Sequence, residues 1–124
     1  MRKQGKKIKN KLALKPLGFK SNKYELNART ALLKAEHGIY TQQNMIGLYC
    51  LQEIVRKLSG ERYVQAHADS VKRLSVQAAE DGHISRMDYI SLEASSDILL
   101  QVFAQAKNAD IARVSLEAAG RFAA

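Results

Sequence analysis

At 124 residues the chain is long enough for one domain with a single hydrophobic core and too short for a second. Hydrophobic residues make up 46% but aromatics only 6%, and the lone cysteine, Cys50, excludes both an intramolecular disulfide and a cysteine zinc cluster. The net charge of +8 is unevenly spread: residues 1–24 carry nine Lys or Arg and no acid, whereas the rest carries eleven basic and twelve acidic side chains, or −1.

The first predicted element is therefore a basic N-terminal arm, residues 1–22. It opens MRKQGKKIKNK, and its only proline, Pro16, is also the only one in the chain. A secretory signal needs an apolar run of about 7–15 residues after its positive start. Here LALKPLGFK is broken by Lys15 and Pro16, so a cleaved signal is rejected. No stretch approaches the ~20 apolar residues of a membrane span. The expectation is a soluble protein of a reducing, cytoplasmic compartment.

The proline-free remainder, residues 23–124, is rich in Ala, Leu, Glu, Gln, Lys and Arg, which favours helices. Asn22, with Glu25 three residues later, is a candidate N-cap for a helix from Lys23 to His37. A second helix spans Gln42 to Leu58, with Leu48, Leu51, Val55 and Leu58 on one stripe. Gly60 interrupts before a third, Glu61 to Asp81, which aligns Val64, His67, Val71, Leu74 and Ala78. The fourth, Arg86 to Ala106, aligns Leu92, Ser95, Leu99, Val102 and Ala106. A shorter fifth, Asp110 to Arg121, presents Ile111, Val114 and Ala118. Spacings of three and four place these side chains along the buried stripe of packed helices.

An internal repeat organises these elements. AEHGIYTQQNMIGL, from Ala35, matches AEDGHISRMDYISL, from Ala79, without gaps. Gly38 and Gly82 suit the left-handed position beyond a helix end, and Thr41 and Ser85 suit the N-cap of the next helix. Asn44 and Asp88 fall where a capping box places its reciprocal acceptor. RTALLKA, RLSVQAA and RVSLEAA extend the likeness to a third partial copy. The expected fold is all-α: a compact bundle of four to five antiparallel helices, built from two repeated helical hairpins plus a closing C-terminal helix. A short solenoid of helix pairs is the alternative.

Motifs for catalysis are absent from the sequence: it has no P-loop, dinucleotide glycine fingerprint or nucleophile elbow. Glu36, His37, Glu80, Asp81 and His83 gather at the repeated turns. Imidazoles beside carboxylates can hold a metal or move a proton, but no HxxxH or ExxH spacing places two ligands on one helix. No enzyme activity, metal or cofactor is expected. His67 and Cys50 read as core or boundary residues, and Ser95 and Ser96 as small residues that let a neighbouring helix approach.

The basic arm points instead to binding. Its eight lysines and one arginine suit phosphates, neutralised by point charges with little sequence discrimination. The predicted nucleic-acid contacts are Arg2, Lys3, Lys6, Lys7, Lys9, Lys11, Lys15, Lys20 and Lys23, extended onto the body by Arg56, Lys57 and Arg62. A sequence-reading helix-turn-helix is disfavoured, because Asn44 and Asp88 stand where its recognition helix buries an apolar residue. Lipid binding is disfavoured by the small apolar face around Ile8 and Leu12, and docking of Leu14, Leu17 and Phe19 on the bundle or a partner is preferred. The sequence thus suggests a non-enzymatic regulatory or accessory protein, its arm on DNA or RNA and its helical body on a protein partner or a second copy. A purely protein-binding adaptor or inhibitor, whose arm meets an acidic partner, is the competing expectation.

Overall fold

A computed structural model describes the backbone of residues 15–123 and the side chains of residues 23–117. Five helices pack together: α1 (Lys15–Glu36), α2 (Gln42–Leu58), α3 (Arg62–Asp81), α4 (Arg86–Gln105) and α5 (Asn108–Ala123). Among the described residues there is no strand. Residues 1–14, and with them most of the basic arm, lie outside the described residues.

The α2 bounds match the sequence expectation, and α3, α4 and α5 differ from theirs by one or two residues at their ends. The first helix is a correction. It begins at Lys15, so Asn22 lies inside α1 and does not cap it. Pro16 explains how this is possible. A helix leaves its first N–H groups without intrahelical partners, so a proline in the first turn loses no hydrogen bond and presets φ for the helix.

The glycine turns follow from local chemistry. Gly38 and Gly82 adopt φ of 83° and 76°, which a residue with a Cβ rarely reaches. Beyond α1, Gly38 N–H donates to Ala35 O at 2.9 Å and Ile39 N–H to Lys34 O at 2.9 Å, the crossed pair of a Schellman ending. Beyond α3, Gly82 N–H donates to Ala78 O at 2.8 Å, the simpler left-handed ending. The next helices then start alike: Thr41 Oγ1 accepts from Asn44 N–H at 3.3 Å, and Ser85 Oγ from Asp88 N–H at 3.1 Å. The Asn44 side chain is drawn to Lys34, whose Nζ lies 3.5 Å from Oδ1.

The second helix lies at the centre. It packs on α1, α3, α4 and α5, and five consecutive residues, Leu51 to Val55, are all buried. One α-helical turn takes 3.6 residues, so this run is enclosed on every side. The single stripe read from its sequence therefore understates its burial. By contrast, the α3 stripe is as expected for Val64, Val71, Leu74 and Ala78, with His67 half-buried. From α4 come Tyr89, Leu92, Leu99, Leu100 and Phe103, and from α5 Ile111 and Val114.

Small residues govern the approach of α1, which buries Ala28, Ala31 and Ala35. At the same crossing, a Cβ built on Gly47 would stand 2.8 Å from Asn27 O, closer than van der Waals contact allows. The beginning of the described α1 face meets the end of α4, where the rings of Tyr24 and Phe103 pack edge-on with centroids 6.3 Å apart.

Alanine in a helix normally gains about 0.5–1 kcal/mol over glycine. At Gly47 the sign should reverse, because the added methyl meets backbone, and overpacking costs about 1–3 kcal/mol. Gly47→Ala is expected to lower stability by about 1–2 kcal/mol, read by urea titration with an unchanged m-value; a stabilised variant would show that α1 does not approach so closely.

Candidate functional site

The three body cations assigned to a nucleic-acid surface are placed in different surroundings. Arg62 is exposed at the first residue of α3. Lys57 is half-buried, with Nζ 4.0 Å from Glu117 on α5. Arg56 is held by the protein itself. Its Nε and Nη2 donate to Gln52 Oε1 at 3.0 and 2.7 Å, Nη2 also reaches Asp69 Oδ1 at 3.0 Å, and Nη1 reaches Gln65 Oε1 at 3.4 Å.

This network begins in the core. Gln52 is 0% exposed and Glu53 4%, and Gln52 Nε2 donates to Glu53 Oε1 at 3.1 Å. Glu53 also lies 3.8 Å from Arg56 Nε. On the α3 side, Gln65 Nε2 donates to Arg56 O at 2.8 Å and Ser59 O at 2.7 Å. It thereby satisfies carbonyls that the end of α2 would otherwise leave unpaired. Arg56 is therefore a clamp between α2 and α3, and its guanidinium has internal acceptors.

Of the arm residues, Lys23 is exposed on α1, and Lys15 and Lys20 stand on the same helix. Arg2, Lys3, Lys6, Lys7, Lys9 and Lys11 lie outside the described residues, as do the side chains of Leu14, Leu17 and Phe19. Lys107, between α4 and α5, is exposed.

At the turn end, Glu36, His37, Glu80, Asp81 and His83 are all exposed. Among the described residues no three His, Cys, Asp or Glu side chains converge closely enough to hold a metal ion. The other chemically interesting side chains have structural surroundings. His67 Nδ1 is 3.0 Å from Ser95 Oγ, which ties α3 to α4, and Tyr63 packs edge-on to its ring. Ser95 and Ser96 are buried, as the small-residue reading expects. Burial and the neighbouring charge of Glu53 push the Cys50 thiol up, away from a reactive thiolate. Burial, together with Glu93 and Glu36, pushes Tyr89 up, and its hydroxyl donates to Glu93 Oε2 at 3.3 Å.

A groove of about 410 Å³ runs between the first half of α2 and the second half of α3. Gln42, Met45, Ile46 and Tyr49 line it from α2, and Ser75, Val76, Ala79 and Glu80 from α3. Ile46 is 56% exposed and Val76 39%. None of the sequence expectations included this groove. Its signal was present, since Ile46 and Val76 are large apolar residues standing off the stripes of their helices.

Comparison with protein-family models, with curated proteins and with solved structures gave no match to this chain. Among the described residues no helix is long and apolar enough to cross a membrane.

The different placement of Arg56 and Lys57 has a measurable consequence. Arg56→Ala removes charged hydrogen bonds from a buried pair and is expected to cost about 1.5–3 kcal/mol. Lys57→Ala breaks a looser, partly solvated pair and should stay within about 0.5 kcal/mol of wild type. Thermal and urea unfolding of the two variants checks this; equal stability would remove the clamp role of Arg56.

Proposed function

We propose that the protein is a non-enzymatic regulatory or accessory factor whose basic N-terminal arm contacts DNA or RNA through phosphates. In this reading the body, two antiparallel helical hairpins and a closing helix, binds a protein partner. One observation carries it: nine cations and no acid in residues 1–24, on a body of net charge −1. Such an arm attracts polyanions by displacing their counterions, which gives affinity without base reading. The pairing of the body's cations supports the same division of labour. Arg29 lies 2.9 Å from Glu25, Arg56 3.0 Å from Asp69, and Arg113 3.5 Å from Glu117. The apolar groove between α2 and α3 supports a second reading, a protein-binding adaptor or inhibitor whose arm meets an acidic partner surface.

Residues 2–14 hold six of the cations, Arg2, Lys3, Lys6, Lys7, Lys9 and Lys11. If each meets a phosphate, their removal should flatten the plot of log K against log salt by about 5 on duplex DNA and about 4 on a single strand. Fluorescence anisotropy of labelled oligonucleotides over a salt series, with the full chain and with a chain lacking residues 2–14, measures the difference. Absence of binding at low salt, or a slope indifferent to the deletion, would leave the adaptor reading in its place.

A further inference from the structure

We propose that the groove between α2 and α3 is a self-association surface, the seat of a second copy of this chain related to the first by a two-fold axis lying across the two helices.

Unmatched charges on α3 select this occupant. In the body, Arg29, Arg56, Lys57 and Arg113 are each matched to a carboxylate of their own chain. Lys72 and Glu80, both exposed on α3, have no ion-pair partner among the described residues. Eight residues separate them, about 12 Å along the helix, so they do not reach each other. Val76 lies midway between them, one turn from each, and is 39% exposed. A two-fold axis beside Val76 runs α3 against the α3 of the second copy in the opposite direction. Positions equally far before and after residue 76 then come level. Val76 meets its own copy, and Lys72 of each chain comes level with Glu80 of the other. Symmetry makes the pair twice. Arg73 comes level with Ala79, so the arrangement opposes no like charges there.

The α2 side of the groove suits the same axis. Ile46, 56% exposed, stands across the groove from Val76, with Gln42 and Tyr49 beside it. None of these three carries a charge at neutral pH, so two copies of this stretch can meet without burying an ion. The aliphatic centre would be Ile46 and Val76 from each chain, with Lys72 and Glu80 at its rim. From Asp69 to Asp81 the face is about 18 Å long and two helices wide, which is small for a specific interface; a dissociation constant of about 10–100 µM is expected.

The dimer uses no residue of the arm, so its test stands apart from the nucleic-acid reading. Sedimentation of the full chain without nucleic acid, from about 5 to 500 µM, should show a monomer passing to a dimer. Lys72→Glu and Glu80→Lys should each weaken the dimer by about tenfold, because each reversal sets two like-charged pairs across the axis. Joining both reversals in one chain restores the pairing and should return the constant to within about twofold of wild type. All three changes are at exposed side chains, and unchanged melting certifies the fold. In a Cys50→Ser background, Val76→Cys should oxidise to a linked dimer, whereas Met87→Cys, on the exposed start of α4, should stay monomeric. A monomer at every concentration would overturn the proposal and leave the groove to a different protein. A dimer indifferent to the single reversals, or not recovered by the double one, would overturn it too, by placing the interface elsewhere.

Discussion

The structure depends on enclosing α2. A helix packed on four others has no face to give to water over its middle, yet its sequence puts Gln52 and Glu53 in the enclosed run. An isolated carboxylate there would be costly, because burial strips its hydration. Gln52 prevents this by working in both directions. Its amide donates to Glu53, and its oxygen receives two N–H groups of Arg56. Arg56 then carries the network outward to Gln65 and Asp69 on α3. Apolar packing tolerates sliding of one helix along another, whereas these bonds fix one register between α2 and α3. Gln65 also satisfies the end of α2, so the inter-helix contact and the helix ending share one side chain.

What could be read from the sequence divides along the range of the forces involved. The turns were legible at Gly38, Thr41, Gly82 and Ser85, because a left-handed glycine and a hydroxyl cap act within three or four residues. The α3 stripe was legible for the same reason: its period is intrinsic to the helix. The start of α1 was not, because the cap signal at Asn22 is weak and continuation through Pro16 removes the need for it. Nor was the burial of Gln52 and Glu53, which as polar residues read as a solvated face. Their partners Arg56, Gln65 and Asp69 are spread from the end of α2 through the first half of α3, and only folding brings them together.

The same limit explains the candidate site. Arg56, Lys57 and Arg62 form a cluster of positive charge in sequence, but the helical periods and the paths of α3 and α5 turn the first two toward carboxylates. Charge counted along a chain gives the total field; which cations remain free for a partner is settled by the carboxylates that tertiary structure brings near. The groove failed to be read for the opposite reason. Ile46 and Val76 are single apolar residues on polar faces, and scattered exposed apolar residues are ordinary. They gain meaning only because α2 and α3 bring them to one depression.

The longer α1 changes the mechanical meaning of the basic segment. Lys15, Lys20 and Lys23 belong to a helix whose later turns are anchored through Ala28, Ala31 and Ala35, and whose distance from α2 is set where Gly47 meets Asn27. Their backbone is thus already ordered before any partner arrives. An ordered backbone avoids about 1–2 kcal/mol of conformational entropy per residue when a ligand is met. Cations on α1 can therefore contribute a contact's free energy with little ordering cost. The body, with Arg29, Arg56 and Arg113 beside carboxylates, adds little net field of its own. The positive charge of the chain is thereby weighted to its first 24 residues, which hold nine cations and no acid.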